Sequence, residues 1–127
     1  MIATAVLFYR INVDTNGLTN STKSKYALYI GTNDKDTNQL EIPLEECKAI
    51  VKDVCIKYTT GFTIVDATGV WADDSERIAD EISFICYFND VTEDTIISIS
   101  DDMLEKLDQN SILIEHQNLD FNIYSKN

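Results

Sequence analysis

The chain has 127 residues, a single Pro, four Gly and a formal net charge of −12. A surface that acidic repels phosphate backbones and anionic lipid, which excludes general nucleic-acid binding and membrane-surface binding as expectations. The length suits one domain, and an apolar content of 44% is enough to build its core.

In chain order, Ile2 to Val13 is β-branched and aromatic without helix caps, which predicts an extra N-terminal strand over residues 1–13. Its run Ala5-Val6-Leu7-Phe8-Tyr9 is the longest uninterrupted apolar stretch, far short of the roughly 20 residues a membrane helix needs. No basic segment precedes it, so neither a secretory leader nor a membrane span is expected. Asp14 to Lys25 reads as a polar connector, with Asn16-Gly17 as a turn. Tyr26 to Gly31 reads as a strand, followed by a polar loop from Thr32 to Gln39.

Pro43 to Tyr58 carries Leu44, Cys47, Ile50, Val51, Val54, Cys55 and Tyr58 at spacings of three and four, the stripe of an amphipathic helix. Phe62 to Trp71 and Ile78 to Phe88 read as a strand pair. In the second, Ile78, Ile82, Phe84, Cys86 and Phe88 share one parity and therefore one face, interrupted by Asp80. Thr92 to Asp108 predicts a second helix, capped by Thr92 and striped by Ile96, Ile99, Met103, Leu104 and Leu107. Ser111 to Gln117 and Leu119 to Tyr124 alternate as one bent strand or two short ones.

From Tyr26 to Tyr124 the order is therefore β-α-β-β-α-β. This is the α+β, ferredoxin-like arrangement: an antiparallel four-stranded sheet with two helices on one face. Residues 1–127 are read as a single domain, with 26–124 as the ferredoxin-like core. The uncovered sheet face must be solvated, liganded or buried against a partner. Five Phe, six Tyr and Trp71 also have to be housed. A homo-oligomer, a dimer first of all, is the expectation. Cys47, Cys55 and Cys86 are odd in number and sit in apolar patterns. They read as reduced core residues of a cytoplasmic protein, without the close spacing a zinc site requires.

Gly61-Phe62-Thr63-Ile64 with Ala67-Thr68-Gly69-Val70-Trp71, then Glu81-Ile82-Ser83, then Gln109-Asn110-Ser111-Ile112-Leu113, form an ordered set of short motifs, and Leu28-Tyr29-Ile30-Gly31 precedes them. The set resembles a small uncharacterised bacterial and phage domain family of ferredoxin-like fold. The family's pattern is L-Y-F-G, G-L-T-V with G-x-W, E-x-S and Q-E-S-V. Ile30 and Asn110 depart from it where Phe and Glu are usual. The resemblance implies a fold and a region, and directs attention to Tyr29, Trp71, Glu81, Ser83, Gln109 and Ser111.

Asp34, Asp36, Asn38 and Glu45 match positions one, three, five and twelve of a calcium loop. However, Gln39 stands where its Gly is required and Pro43 interrupts it, so a solvated loop is expected and no metal. His116 is the only histidine, alternating with Ile112 and Ile114 as a packed or edge residue would. No nucleophile elbow, Walker motif or Gly-rich phosphate loop is present. Trp71, Tyr26 and Tyr29 are suited to stack on a flat ring. Arg77, Lys25 and Lys35 are suited to meet an anion, with Arg77 the better bidentate partner. Glu81, Ser83, Gln109 and Ser111 would read polar edges.

These residues point to a non-enzymatic oligomeric protein that captures a small anionic, nucleotide-like ligand without a cofactor, in the manner of a phage sequestering protein. Two alternatives stay open. One is an acidic protein-interaction inhibitor that mimics nucleic acid. The other is a small dimeric ferredoxin-like-barrel enzyme working through His116.

Overall fold

The computed structural model describes residues 22–126. The extra strand expected over Ile2–Val13 and the Asn16-Gly17 turn lie outside the described residues. The elements are β1 (Thr22–Gly31), α1 (Leu44–Tyr58), β2 (Thr63–Ala72), β3 (Ile78–Asn89), α2 (Glu93–Leu107) and β4 (Leu113–Asp120). All strand pairings are antiparallel, and the sheet order is β2-β3-β1-β4. This is the α+β ferredoxin-like fold.

Two boundaries differ from the expectation. Thr22 to Lys25 already belong to β1, because their backbone pairs with Asp120 to Gln117 of β4. The polar side chains of Lys23, Ser24 and Lys25 lie at a sheet end, where no core demands apolar ones. At the far end a single strand, Leu113–Asp120, replaces the longer alternating stretch from Ser111 to Tyr124.

Alternation along the central strands decides the layers. Tyr26, Leu28 and Ile30 of β1 and Phe84, Cys86 and Phe88 of β3 are buried on one face. The register Leu28↔Cys86 sets them side by side. Onto this face pack Cys47, Val51, Val54 and Cys55 of α1 with Ile96, Ile99, Met103 and Leu107 of α2, as one cluster. All three cysteines are free thiols in that core. Cys86 and burial together push the Cys55 thiol pKa up, which keeps it protonated and unreactive. The parity predicted for β3 is present, but Ile78 and Ile82 are exposed, because the β2–β3 hairpin outruns the two helices. Asp80 thereby reaches solvent on the helix side. On the edge strand β2, Asp66 also points to that side and pairs with Lys48 of α1 at 3.1 Å.

Pro43 holds the cap position of α1, and Glu45 and Glu46 complement its positive start. Thr92 caps α2, its hydroxyl accepting from the Thr95 N–H at 3.2 Å. Asp108 ends α2 in the left-handed conformation, φ 52 and ψ 54. Among the described residues, no helix is long and apolar enough to cross a membrane.

The two helices are tied at their surface by Asp102, which accepts from the Tyr58 hydroxyl at 2.9 Å and from Lys57 Nζ at 3.4 Å. The Tyr58 hydrogen bond, then Lys106 and Lys57, lower the Asp102 pKa. Its contribution is present above the ordinary carboxylate pKa of about 3.9 and is lost as pH falls through the lowered value. Asp102→Asn is therefore expected to make the fall of stability below about pH 4 shallower, read by urea denaturation at a series of pH values. Thr92→Ala is expected to cost about 1 kcal/mol in the same assay at neutral pH.

Candidate functional site

β1 ends against β3 in a set of contacts built on a glycine. Gly31 pairs with Ser83, and the Glu81 side chain folds over Gly31. A Cβ at position 31 would lie 2.5 Å from a Glu81 carboxylate oxygen, so only glycine leaves the carboxylate its place. There Glu81 Oε2 accepts the Asn33 N–H at 2.7 Å. The buried Thr32 hydroxyl donates to the Ile82 carbonyl at 2.7 Å. Gln109, just beyond α2, donates through its side-chain amide to the Asn33 carbonyl. Both backbone groups of Asn33 are thus held by side chains from other elements.

The loop that follows is ordered by its own residues. The Asp34 carboxylate accepts the N–H groups of Asp36 and Thr37 at 2.9 and 3.2 Å. An isolated bridge joins Asn33 to Leu40. The Lys35 N–H donates to the Asp108 carbonyl at 3.0 Å, docking the loop on the end of α2. Asp34, Asp36 and Asp108 draw together here, with ligand atoms within 4.8 Å of one another. A hydrogen bond between Asp108 and Asp34 raises the Asp108 pKa and lowers that of Asp34.

A cavity of about 340 Å³ lies between this loop, the β2–β3 hairpin and the α2–β4 connection. It is lined by Asn33, Asp34, Lys35, Asn38, Trp71, Glu81, Gln109, Asn110 and Ser111. Trp71 is 37% exposed, so much of its ring surface is open to contact. Of the residues singled out by sequence, Trp71, Glu81, Gln109 and Ser111 are brought together here from β2, β3 and the α2–β4 connection. Ser83 lies two residues from Glu81, on the same sheet face, opposite Ala67.

The others stand apart. Tyr29 lies on the open sheet face and donates to Glu115 at 2.9 Å, a bond that raises the Tyr29 pKa. Lys25 sits towards the other end of that face, its ammonium 4.9 Å from the Tyr87 ring centroid. It lines a cavity of about 420 Å³ with Ala27, Tyr87, Glu115, His116 and Gln117. Arg77 belongs to the β2–β3 turn. Its Nε pairs with Asp73 at 2.8 Å, and the Asp73 carboxylate also accepts the N–H groups of Ser75 and Arg77. The Arg77 backbone hydrogen bond is the main cause of the lowered Asp73 pKa. Arg77 lines a separate cleft with Thr37, Asn38 and Ala79. His116 stacks on Tyr26, with ring centroids 4.5 Å apart and its Nε2 3.2 Å from Ser24 Oγ.

Sequence reasoning missed Asn33 and the part played by Gly31. Both depend on contacts some 50 residues apart in the chain, which no local spacing reveals. If the Glu81 carboxylate holds the loop, Glu81→Ala is expected to speed exchange of the Asn33 amide hydrogen. Gly31→Ala is expected to do the same while leaving the core amides protected. Unchanged Asn33 protection in both variants would remove Glu81 from this role.

No curated protein matches the chain. Two solved structures share its fold. One is a phage SAM lyase in complex with S-methyl-5′-thioadenosine, with TM-score 0.56 and 14% identity over 81% of this chain and 90% of that one. The other is a phage SAM lyase in the apo state, with TM-score 0.53 and 16% identity over 82% and 90%. These neighbours overturn the expectation of a non-enzymatic protein, since both are enzymes. The missing nucleophile–histidine set argues only against nucleophilic chemistry of that kind. A lyase needs no such set. The family model for a protein of unknown function (DUF3574) matches residues 25–122, and the chain belongs to that family.

Proposed function

We propose that the chain is a small-ligand enzyme whose substrate carries a nucleoside, bound in the cavity beside Trp71. The observation that carries this reading is the convergence of Trp71, Glu81, Gln109 and Ser111 on one cavity of about 340 Å³. An indole face stacks on a flat base, and the amide and hydroxyl supply donors and acceptors for its edges and for a ribose. The volume lies within the roughly 300–1,000 Å³ range of ligand sites.

Charge narrows the ligand. The cavity holds the carboxylates of Glu81 and Asp34 against the single ammonium of Lys35, which already pairs with Asp108 at 3.5 Å. Arg77, the anion partner expected from sequence, is engaged by Asp73. The balance favours a neutral or cationic ligand over an anionic one. S-methyl-5′-thioadenosine is neutral, and the sulfonium of SAM is a cation beside which a carboxylate is well placed. The lyases of the same fold support this choice of ligand and of reaction. The sulfonium's bond to the four-carbon chain of SAM breaks, and sulfur keeps the electron pair and leaves as neutral S-methyl-5′-thioadenosine. The fragment left behind needs no added reactant, since it loses a proton or closes on its own carboxylate.

Calorimetric titration with SAM and with S-methyl-5′-thioadenosine, paired with mass spectrometry of the SAM mixture over time, tests the proposal. Saturable binding is expected, with S-methyl-5′-thioadenosine accumulating. Trp71→Ala should weaken binding by about 1–3 kcal/mol, the usual worth of a base–aromatic stack. Glu81→Gln retains an acceptor for Asn33 but removes the charge, and should lower turnover more than binding. A chain that binds neither compound, or binds both as well after Trp71→Ala, is not this enzyme.

A further inference from the structure

The sheet face opposite the helices has a charge pattern unlike the rest of the molecule. By parity it carries Lys23 and Lys25 of β1, Glu81 of β3 and Glu115 of β4 as its charged residues, and so is neutral. The whole chain carries −12. The face is therefore a surface on which a second copy of this acidic chain can approach without local net repulsion. Along the strands both lysines lie to one side, with Glu115 level with Ala27 and engaged by Tyr29, and Glu81 lies alone at the other end. Lys25 is level with Asn89, and Glu81 lies eight residues further along β3, roughly 26 Å away at about 3.3 Å per residue.

Midway between them runs an apolar row across all four strands. Leu113, Tyr29, Ile85 and Val65 are joined by the pairs Tyr29↔Leu113, Tyr29↔Ile85 and Val65↔Ile85. Leu113 is 61% exposed and Val65 41%. Among the described residues no helix lies over this row; both described helices belong to the core cluster on the other side.

We propose that two copies of the chain pack these faces together about a two-fold axis that runs across the strands through this row. The axis stacks the apolar row on its own copy and reverses strand direction. Lys25, four residues to one side of the row, then comes over the level of Glu81, four residues to the other, in the second copy. An axis along the strands would instead set lysines over lysines and carboxylates over carboxylates. Four strands about 4.8 Å apart and about ten residues long give a face of roughly 600 Å² per copy. Both copies together then clear the roughly 1,000 Å² expected of a specific interface.

Sedimentation velocity of the full chain measures the mass, and single cysteines treated with a short bismaleimide read the register. The native cysteines are buried and do not compete. A mass of two copies is expected, with Val65→Cys cross-linking to its own copy. Lys25→Cys should stay uncross-linked, because its mate lies roughly 26 Å away along the strands. Leu113→Asp should shift the mass towards one copy while retaining the wild-type circular dichroism spectrum. A mass other than two copies, a cross-link through Lys25→Cys, or a dimer indifferent to Leu113→Asp overturns the proposal. A single-copy mass with Val65 and Leu113 amides protected from exchange would do so too, assigning the face to the segment before Thr22.

Discussion

The register of β1 against β3 is the constraint from which the rest of the molecule follows. With Leu28 beside Cys86 and Ile30 beside Phe84, the large buried apolar side chains of the two central strands, from Tyr26 to Ile30 and from Phe84 to Phe88, fall on one face. Both helices have a single place to bury their stripes. The same register sends Gly31 and Glu81 to the opposite face at the same sheet end. A slip of one residue would exchange the faces of every side chain on β1 and dismantle core and cavity together. Fold and site are thus two readings of one pairing.

The site adds little that is specialised to this frame. A backbone position without a side chain lets a carboxylate lie over the strand. That carboxylate and a side-chain amide hold the two polar backbone groups of Asn33. The loop closes over the space left beside Trp71. The polar side chains that shape the cavity are therefore also bracing, and Glu81 and Gln109 each carry a structural hydrogen bond besides any contact with a ligand. Preorganisation of this kind suits a site that must hold a ligand in one pose, because little conformational freedom remains to be lost on binding.

The helices and the strand parity were legible in the sequence, because periodicity records burial directly. The stripe from Leu44 to Tyr58 and the alternation from Phe84 to Phe88 each reflect a single apolar surface. The bounds of β4 were less legible: its alternation ran on to Tyr124, whereas most of Leu113–Asp120 is exposed and the strand's extent is set by backbone pairing with β1. Trp71, Glu81, Gln109 and Ser111 were found through a resemblance and do meet at one cavity. Arg77 and Lys25 were chosen for charge alone. Charge in a sequence does not show its partner, and Arg77 has its partner in Asp73, four residues away. The non-enzymatic expectation failed in a similar way. It was drawn from the absence of one catalytic set, although other reactions need none of its members.

The Lys48–Asp66 pair on the outermost strand has a consequence for how copies of the chain can grow into assemblies. Among the described residues β2 and β4 are the outer strands of a four-stranded sheet, and strand addition at such a margin would propagate without limit into a fibre. Asp66 places a charge on the covered side of β2, anchored to α1, where an incoming strand would have to lay its own side chains against the helix. Inward-facing charge at a sheet margin discourages such growth. The outermost described strand is thereby made a poor template for open-ended strand addition.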